Sequence, residues 1–209
     1  MHRRHLLAGG LGVAAAVTLH RAALAALVRT PAQTAGPFYP NRLPLDRDAD
    51  LLRAGPDGGM AQGEPAEVFG RVLDLDGRPL TDMEVEIWQC DAQGYYHHIK
   101  EYTGGDPNFQ GFGRTATGAD GAYRFRTIKP VPYGSRTPHI HFRIRGRGTE
   151  GLTTQLYIRD HPMNGQDFVL ARVPERLRPS VMADFKPEET GGPALARFDI
   201  VLGPAFVGD

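Results

Sequence analysis

Two histidines in the middle of the chain have the spacing of a metal-binding pair. His139 and His141 alternate with Ile140 and Phe142, and alternation at a period of two is typical of a β-strand. Side chains at i and i+2 of a strand leave the same face, so the two imidazoles should stand side by side, opposite an apolar face. Neutral imidazole is a common ligand of transition metals. A half-exposed strand that carries two histidines on its wet side would show the same pattern, so this pair alone leaves both interpretations open.

Two tyrosines add a second kind of candidate ligand. Tyr96 follows a turn at Gly94, and Tyr133 stands in the loop just before the histidine strand. Both could meet the histidines at one end of the fold. A phenol has an unperturbed pKa of ~10 and binds as phenolate only where a strong Lewis acid lowers that value. Two phenols with two imidazoles would therefore suit a hard trivalent cation such as Fe³⁺, with a coordination position left for water or substrate.

Composition and charge limit the partners that we expect. The 209 residues can bury one sizeable core, which favours a single folded domain. Lys and Arg number 24 and Asp and Glu also number 24, and the absence of a basic cluster argues against nucleic acid or an anionic membrane as partner. A small molecule is the expected partner. The 26 Gly and 17 Pro are scattered along the chain, which favours many short strands joined by tight turns.

The first 25 residues have the composition of an export signal. Arg3 and Arg4 precede an apolar run over residues 6–19, and Ala23-Leu24-Ala25 offers small residues to a signal peptidase. We predict a twin-arginine-like signal, hence a periplasmic or extracellular protein without stable membrane insertion after cleavage. An ordinary secretory signal or an uncleaved anchor stays open, and the protein is cytoplasmic if the signal interpretation is wrong. The run is too short and interrupted for a good spanning helix.

The rest of the chain predicts an all-β fold, an antiparallel β-sandwich preceded by an irregular arm. Glycine and proline break residues 26–66, which we assign to the arm, and residues 67–209 form the sandwich. Turn residues alternate with strand-like segments at 68–74, 85–88, 122–128, 139–144, 153–158 and 197–202. Short strands with frequent turn signals are typical of a sandwich. A brief helix is predicted over residues 171–177, ending before Pro179. Tyr39 is expected to pin the arm to the surface of the sandwich.

The order of these motifs resembles the intradiol ring-cleavage dioxygenases, above all the protocatechuate 3,4-dioxygenase β-subunit type. The resemblance extends from Thr30 to Leu202, and its most specific part runs from Thr127 to Phe142. It is carried by Trp88, Gly94, Tyr96, Gly113-Arg114, residues 120–130, Tyr133, Arg136, residues 139–142, residues 154–157 and residues 197–200.

The resemblance implies a non-haem Fe(III) enzyme that inserts both atoms of O₂ between the two hydroxylated carbons of a catechol. The product would be a muconate-type dicarboxylate. The implied iron ligands are Tyr96, Tyr133, His139 and His141. Tyr133 would be the ligand that leaves when substrate chelates. Tyr96 is preferred to its neighbours Tyr95, His97 and His98 because it completes the family's Gly-x-Tyr.

Two further residues acquire roles only through the resemblance. Arg136 would stabilise negative charge that develops on the substrate ring, and Gln155 would be a polar group behind it. Without the resemblance, a surface arginine and a strand-pairing glutamine are the simpler interpretations. The loop from Tyr133 to His139 is shorter than in the protocatechuate enzymes and lacks their tryptophan, so the identity of the ring substituents stays open.

The implied partners are a small catecholic substrate and O₂, with either a homo-oligomer or a second related subunit. A rival hypothesis from another class is an exported transthyretin-like β-sandwich that binds a partner without catalysis. Such modules share the turn-and-strand pattern of residues 70–77 and 120–125 for structural reasons. The two tyrosines and two histidines favour the dioxygenase.

Overall fold

The computed structural model describes residues 27–55, 58–98, 104–149, 151–189 and 191–204. The predicted export signal lies outside these residues. The strands are β1 (Pro65–Leu73), β2 (Glu84–Trp88), β3 (Phe112–Ala116), β4 (Ala122–Ile128), β5 (His139–Arg145), β6 (Leu152–Ile158), β7 (Met182–Ala183), β8 (Ala194–Arg197) and β9 (Ile200–Val201). Three short 3₁₀ helices lie between β6 and β7: η1 (Pro162–Gln166), η2 (Leu170–Arg172) and η3 (Glu175–Val181). Within the described ranges, no helix has the length and apolar character needed to cross a membrane.

Two sheets make up the fold, so the all-β prediction is confirmed. One sheet has the order β4-β1-β8, with β9 also paired to β1, and the other has the order β3-β2-β5-β6-β7. The predicted antiparallel pairing is found between β1 and β4 and along β3-β2-β5-β6. The sheets are mixed, however, because β8 and β9 run parallel to β1 and β7 runs parallel to β6. Parallel neighbours need a long crossover, and the segment that carries η1 to η3 supplies one between β6 and β7.

The core lies between the two sheets and fixes which way the histidine strand faces. Ile140, Phe142 and Ile144 of β5 are fully buried in one apolar cluster with Val68 of β1 and Phe125 of β4. Alternate residues of a strand point to opposite faces. The histidines of β5 therefore lie on the other face of their sheet, beside the sandwich core and not within it.

Gly70 in β1 allows the chain between β8 and β9 to approach β1 closely. The strand predicted over residues 197–202 is interrupted between β8 and β9, where the Phe198 N–H donates to the Phe69 carbonyl at 2.8 Å. A Cβ at Gly70 would stand 1.9 Å from the Phe198 carbonyl oxygen. Only a residue without a side chain permits this approach of the two backbones.

The arm is tied to the sandwich along its length. The described residues from 27 to 64 contain no helix or strand, as predicted, apart from an isolated bridge between Asp50 and Arg126. The Gln33 N–H donates to the Thr153 carbonyl at 2.8 Å. Leu51 is fully buried in the main core, so this segment contributes to the core as well as covering it.

The prediction of a single helix over residues 171–177 was wrong. Val173 is extended and separates η2 from η3, because a residue that precedes a proline, here Pro174, is disfavoured in the helical region. Pro179 lies inside η3 and does not end it. One brief helix was predicted where two 3₁₀ helices form, on either side of Val173 and Pro174.

Candidate metal centre

The structure buries both histidines of β5. His139 and His141 are each 1% exposed, and His141 stands in register with Trp88 of β2 and Gln155 of β6. The arm covers this face. Gly36 of the arm lies against the His141 ring, and a Cβ added at Gly36 would be 3.7 Å from His141 Cε1. The interpretation of two histidines on a wet strand face is therefore wrong.

The four residues predicted as metal ligands lie together. The Nε2 atoms of His139 and His141 are 3.2 Å apart. The Tyr133 ring centroid lies 5.4 Å from that of His139 and 5.3 Å from that of Tyr96. The Tyr96 and His141 centroids are 6.2 Å apart. Strand β5, the loop after β2 and the loop after β4 thus bring four rings into one buried cluster.

Both imidazoles are neutral at ordinary pH. Burial and the nearby Arg136 charge lower the pKa of His139 to about 4. Complete burial, followed by electrostatic coupling to the neighbouring His139 and by the charge of Arg136, holds the pKa of His141 well below its usual value. His139 Nδ1 lies 2.6 Å from the Thr137 carbonyl oxygen, which can only accept, so Nδ1 carries the proton. His139 Nε2 consequently presents a lone pair.

Two polar atoms of the cluster are left without partners. The Tyr96 hydroxyl oxygen and His141 Nδ1 are buried, and neither has a hydrogen-bond partner among the described residues. An unsatisfied buried polar group costs about 1–3 kcal/mol, and such an exception calls for an explanation such as an ion. A cation that takes phenolate oxygen and imidazole Nε2 would give the Tyr96 oxygen a partner and fits this donor set, whereas His141 Nδ1 would stay without one.

The tyrosines need that cation in order to ionise. Burial, followed by the neighbouring Tyr133 phenol, raises the pKa of Tyr96 well above its usual value. Burial also raises the pKa of Tyr133, against a smaller lowering by the charge of Arg136. The part of the chain that the structure describes contains no group of three or more His, Cys, Asp and Glu residues arranged for a metal. A metal site here therefore depends on the tyrosines.

Aromatic stacking holds two of the rings in place. The Trp88 ring stacks on His141 with centroids 4.8 Å apart, and the Phe38 ring stacks on Tyr96 at 4.4 Å. Tyr39 packs its edge against Trp88 at 5.0 Å and donates its hydroxyl to the buried Glu86 carboxylate at 3.0 Å. Tyr39 thus pins the arm, as predicted, and the arm in turn packs against the cluster.

Arg136 and Gln155 lie beside the cluster and contact each other. Arg136 is 8% exposed and Gln155 is fully buried, so the simpler interpretation of a surface arginine is wrong. Arg136 Nη2 donates to Gln155 Oε1 at 2.6 Å, and Gln155 Nε2 donates to the Thr34 carbonyl in the arm at 2.9 Å. The Arg136 N–H also closes a turn onto the Tyr133 carbonyl at 2.9 Å, which joins this arginine to a candidate ligand.

One buried carboxylate at the site was not predicted from the sequence. Asp167, between η1 and η2, is fully buried and accepts from Arg136 Nε at 2.7 Å. Burial alone would raise its pKa, but hydrogen bonds from Arg136 and from backbone N–H groups outweigh that effect and lower it. The arginine thereby has an ionised partner. A single aspartate in an irregular segment carries no pattern that would have revealed this pairing.

The neighbouring candidates have other partners. Tyr95 is 39% exposed. His97 Nε2 lies 2.9 Å from the Asp91 carboxylate, and His98 Nε2 donates to the Gln110 carbonyl at 2.6 Å. Among these neighbours, Tyr96 is the residue whose ring packs against Tyr133 and His141, and its role as a ligand stays a prediction.

Sequence comparison relates the chain to known dioxygenases. Residues 34–204 match the family model described as Dioxygenase. The chain is 40% identical over 172 residues to the protocatechuate 3,4-dioxygenase beta chain of Burkholderia cepacia, covering 76% of this chain and 72% of that one. It is 31% identical over 191 residues to the alpha chain from the same organism, covering 85% and 94%. Against catechol 1,2-dioxygenase 1 of Acinetobacter lwoffii it is 30% identical over 184 residues, but spans only 56% of that protein's length and 79% of its own.

Comparison of folds gives the same result. The chain superposes with a TM-score of 0.66 and 31% identity on the dioxygenase domain of a dioxygenase carbohydrate-binding protein fusion from Streptomyces sp. SirexAA-E. The match covers 85% of this chain and all of that domain. The two-sheet fold is therefore shared with a known dioxygenase domain.

Proposed function

The chain belongs to the intradiol ring-cleavage dioxygenases, and we propose that it cleaves a catecholic ring between its two hydroxylated carbons with O₂. The observation that carries this proposal is the buried cluster of Tyr96, Tyr133, His139 and His141, in which both imidazoles are neutral and the Tyr96 hydroxyl lacks a partner. Catechol and O₂ would combine without loss of atoms to give a muconate-type dicarboxylic acid. Family membership favours this function over the non-catalytic binding sandwich.

We assign the four rings to Fe(III). The two phenol oxygens and two imidazole nitrogens would hold it, and a ferric ion bound there supplies a Lewis acid that accepts electron density from a catecholate. The soft sulfur donor nearby, the buried Cys90 thiol, donates to the Val131 carbonyl at 3.9 Å and is not assigned to the ion.

Tyr133 is the residue we assign to proton transfer on binding. A catechol that binds through both oxygens must lose two protons. A phenolate oxygen that leaves its ligand position could accept one of them, and a hydroxide ion in the site could accept the other. Tyr133 is half-buried, whereas Tyr96 is 4% exposed. The smaller burial of Tyr133 is the reason why we assign the leaving role to it and not to Tyr96.

Arg136 is assigned to the substrate ring. Its guanidinium is buried, ionised and held by Gln155. A fixed cation in a site that excludes water stabilises negative charge where it develops, at little cost of reorganisation. Gln155 orients this cation and anchors it to the arm through the Thr34 carbonyl.

The substrate and partner classes follow from the relatives. Those relatives are named for protocatechuate and catechol, and we propose a small catechol as substrate. Because the B. cepacia relatives are named as alpha and beta chains, we also propose a second related subunit or a second copy of this chain as partner. Export by the twin-arginine route stays a prediction.

Oxygen uptake and product analysis test this function. The iron-loaded full chain is incubated with catechol, protocatechuate or hydroxyquinol under ¹⁸O₂, alongside His141→Ala and, as a matched control, His161→Ala outside the cluster. We expect a dicarboxylate that contains both labelled atoms from the wild type and His161→Ala, and none from His141→Ala. An aldehyde product of cleavage beside the diol, or no uptake by the iron-loaded wild type with any of the three, would overturn the proposal.

A further inference from the structure

The carboxylate of Asp167 joins the Arg136 side chain, the backbone before the histidine strand and the turn that begins η2. Its Oδ2 accepts from Arg136 Nε at 2.7 Å and from the Thr137 N–H at 3.0 Å. Its Oδ1 accepts from the backbone N–H groups of Val169 and Leu170 at 3.0 and 2.8 Å. One oxygen therefore faces the segment that leads into the histidine strand, and the other closes the turn that begins η2.

These contacts restrict the guanidinium of Arg136 in two directions. Asp167 accepts from Nε, and Gln155 accepts from Nη2 at 2.6 Å. A planar group that is fixed at two of its nitrogens has a defined plane and rotamer. The ring of Phe168 covers the guanidinium carbon at 5.4 Å, which restricts the group on a further side.

The same contacts balance the charge of the buried arginine. A buried cation without a counter-ion is costly, and Asp167 is a fully buried carboxylate in direct contact with it. Without this partner, the guanidinium would keep its bond to Gln155 but would lose the carboxylate that fixes Nε and balances its charge.

We propose that Asp167 is a positioning residue, which fixes the Arg136 guanidinium in the orientation that serves the catecholic substrate. The inference rests on the proposed function, because it concerns the same site. The simpler alternative is that Asp167 only caps the turn at Val169 and Leu170. Asp167→Asn separates the two, because asparagine has the same shape and can keep its oxygen on the turn while it removes the charge that faces Arg136.

A double-mutant cycle on the iron-loaded full chain measures whether Asp167 acts through Arg136. Asp167→Asn is compared in the wild type and in an Arg136→Gln background, with Asp106→Asn as the matched control. Asp106 is another buried aspartate, 1% exposed, whose carboxylate accepts from the Gln62 N–H at 2.6 Å in a loop away from the guanidinium.

We expect Asp167→Asn to lower kcat by about 10- to 100-fold with little change in KM in the wild type. In the Arg136→Gln background it should have less than about a 2-fold effect, and Asp106→Asn should leave kcat unchanged. An equal loss of kcat in both backgrounds, or a loss shared by Asp106→Asn, would overturn the positioning role.

A second readout does not depend on activity. In the ¹H–¹⁵N spectrum of the full chain purified without added metal, the Arg136 Nε–H should exchange slowly with solvent, and its exchange should rise at least about 10-fold in Asp167→Asn. Fast exchange in the wild type would contradict the inference. If the iron-loaded wild type fails to cleave any catechol, the proposed function is wrong, and this spectrum still decides whether Asp167 holds Arg136.

Discussion

His139 Nε2 and His141 Nε2 lie 3.2 Å apart. Both rings are buried, and burial lowers their pKa values so that both imidazoles are neutral. Because His139 carries its proton on Nδ1, these two nitrogens can share either one proton or one cation. A proton shared between them and a cation bound to both would each leave His141 Nδ1 without a partner, so this atom does not distinguish the two. A cation would use both lone pairs and also provide a partner for the Tyr96 hydroxyl.

The unpartnered hydroxyl of Tyr96 gives a prediction about stability. Tyr96→Phe should leave the free energy of unfolding of the metal-free protein unchanged or raise it by up to about 1 kcal/mol, because it removes a buried group that has no hydrogen bond. The same change should weaken Fe(III) binding. Urea unfolding and iron titration measure the two effects.

Tyr123→Phe is the matched control for this change. Tyr123 is equally buried, at 4% exposed, but its hydroxyl donates to the Phe198 carbonyl at 2.5 Å. Its loss should cost about 1–3 kcal/mol without affecting iron. Equal destabilisation by both variants would mean that the Tyr96 hydroxyl stabilises the metal-free fold.

The lowered pKa of His139 predicts that the metal-free protein loses stability in mild acid. The folded protein protonates this ring near pH 4, whereas the unfolded chain does so near its ordinary value of ~6.5. The unfolded state therefore binds the proton first, so the stability is complete above pH ~6.5 and is lost as the pH falls toward 4. The loss should be on the order of 3 kcal/mol, with His141 acting in the same direction.

Urea unfolding between pH 4 and 7 measures this slope. His139→Gln should flatten it, and His161→Gln should change it less, because His161 lies outside the buried cluster. An unchanged slope in His139→Gln would show that other groups cause the acid sensitivity.

Gly70 gives a prediction about the fold itself. A methyl group at this position would lie 1.9 Å from the Phe198 carbonyl oxygen, so Gly70→Ala must push apart β1 and the chain between β8 and β9. We expect a loss of about 3 kcal/mol or more in the free energy of unfolding. Gly165→Ala is the control, since nothing lies within 4 Å of a Cβ there. A loss below ~0.5 kcal/mol for Gly70→Ala would contradict this account of the strand division.

The sequence predicted the parts of the site that lie on regular, alternating segments. The His-x-His strand and its apolar face follow from a period of two, and the strands β1, β2, β4 and β6 follow from similar patterns. The parallel pairing of β8 and β9 with β1 could not be predicted. It joins segments that are distant in the chain, and the local pattern of a strand does not show whether its neighbour runs parallel or antiparallel. A single brief helix was predicted where η2 and η3 form, because the extended conformation that Pro174 favours at Val173 was not taken into account.

The roles of Arg136, Gln155 and Asp167 also depend on contacts between distant parts of the chain, which the local sequence does not show. Arg136 and Gln155 acquired roles from the family resemblance, since nothing in their local sequence distinguishes them from surface or strand-pairing residues. Asp167 carried no signal at all, because its partner Arg136 is 31 positions away in the chain. Only the folded structure shows that a buried arginine there needs a buried carboxylate.

The central claim is that two tyrosines and two histidines hold ferric iron for a catechol. The most direct test is the visible spectrum of the aerobically purified, iron-loaded protein before and after anaerobic addition of catechol. Charge transfer from phenolate to Fe³⁺ should colour the protein red-brown, and chelation of catechol should shift the absorption to longer wavelength. A protein that stays colourless after reconstitution with Fe³⁺ would contradict the assignment of Tyr96, Tyr133, His139 and His141 as its ligands.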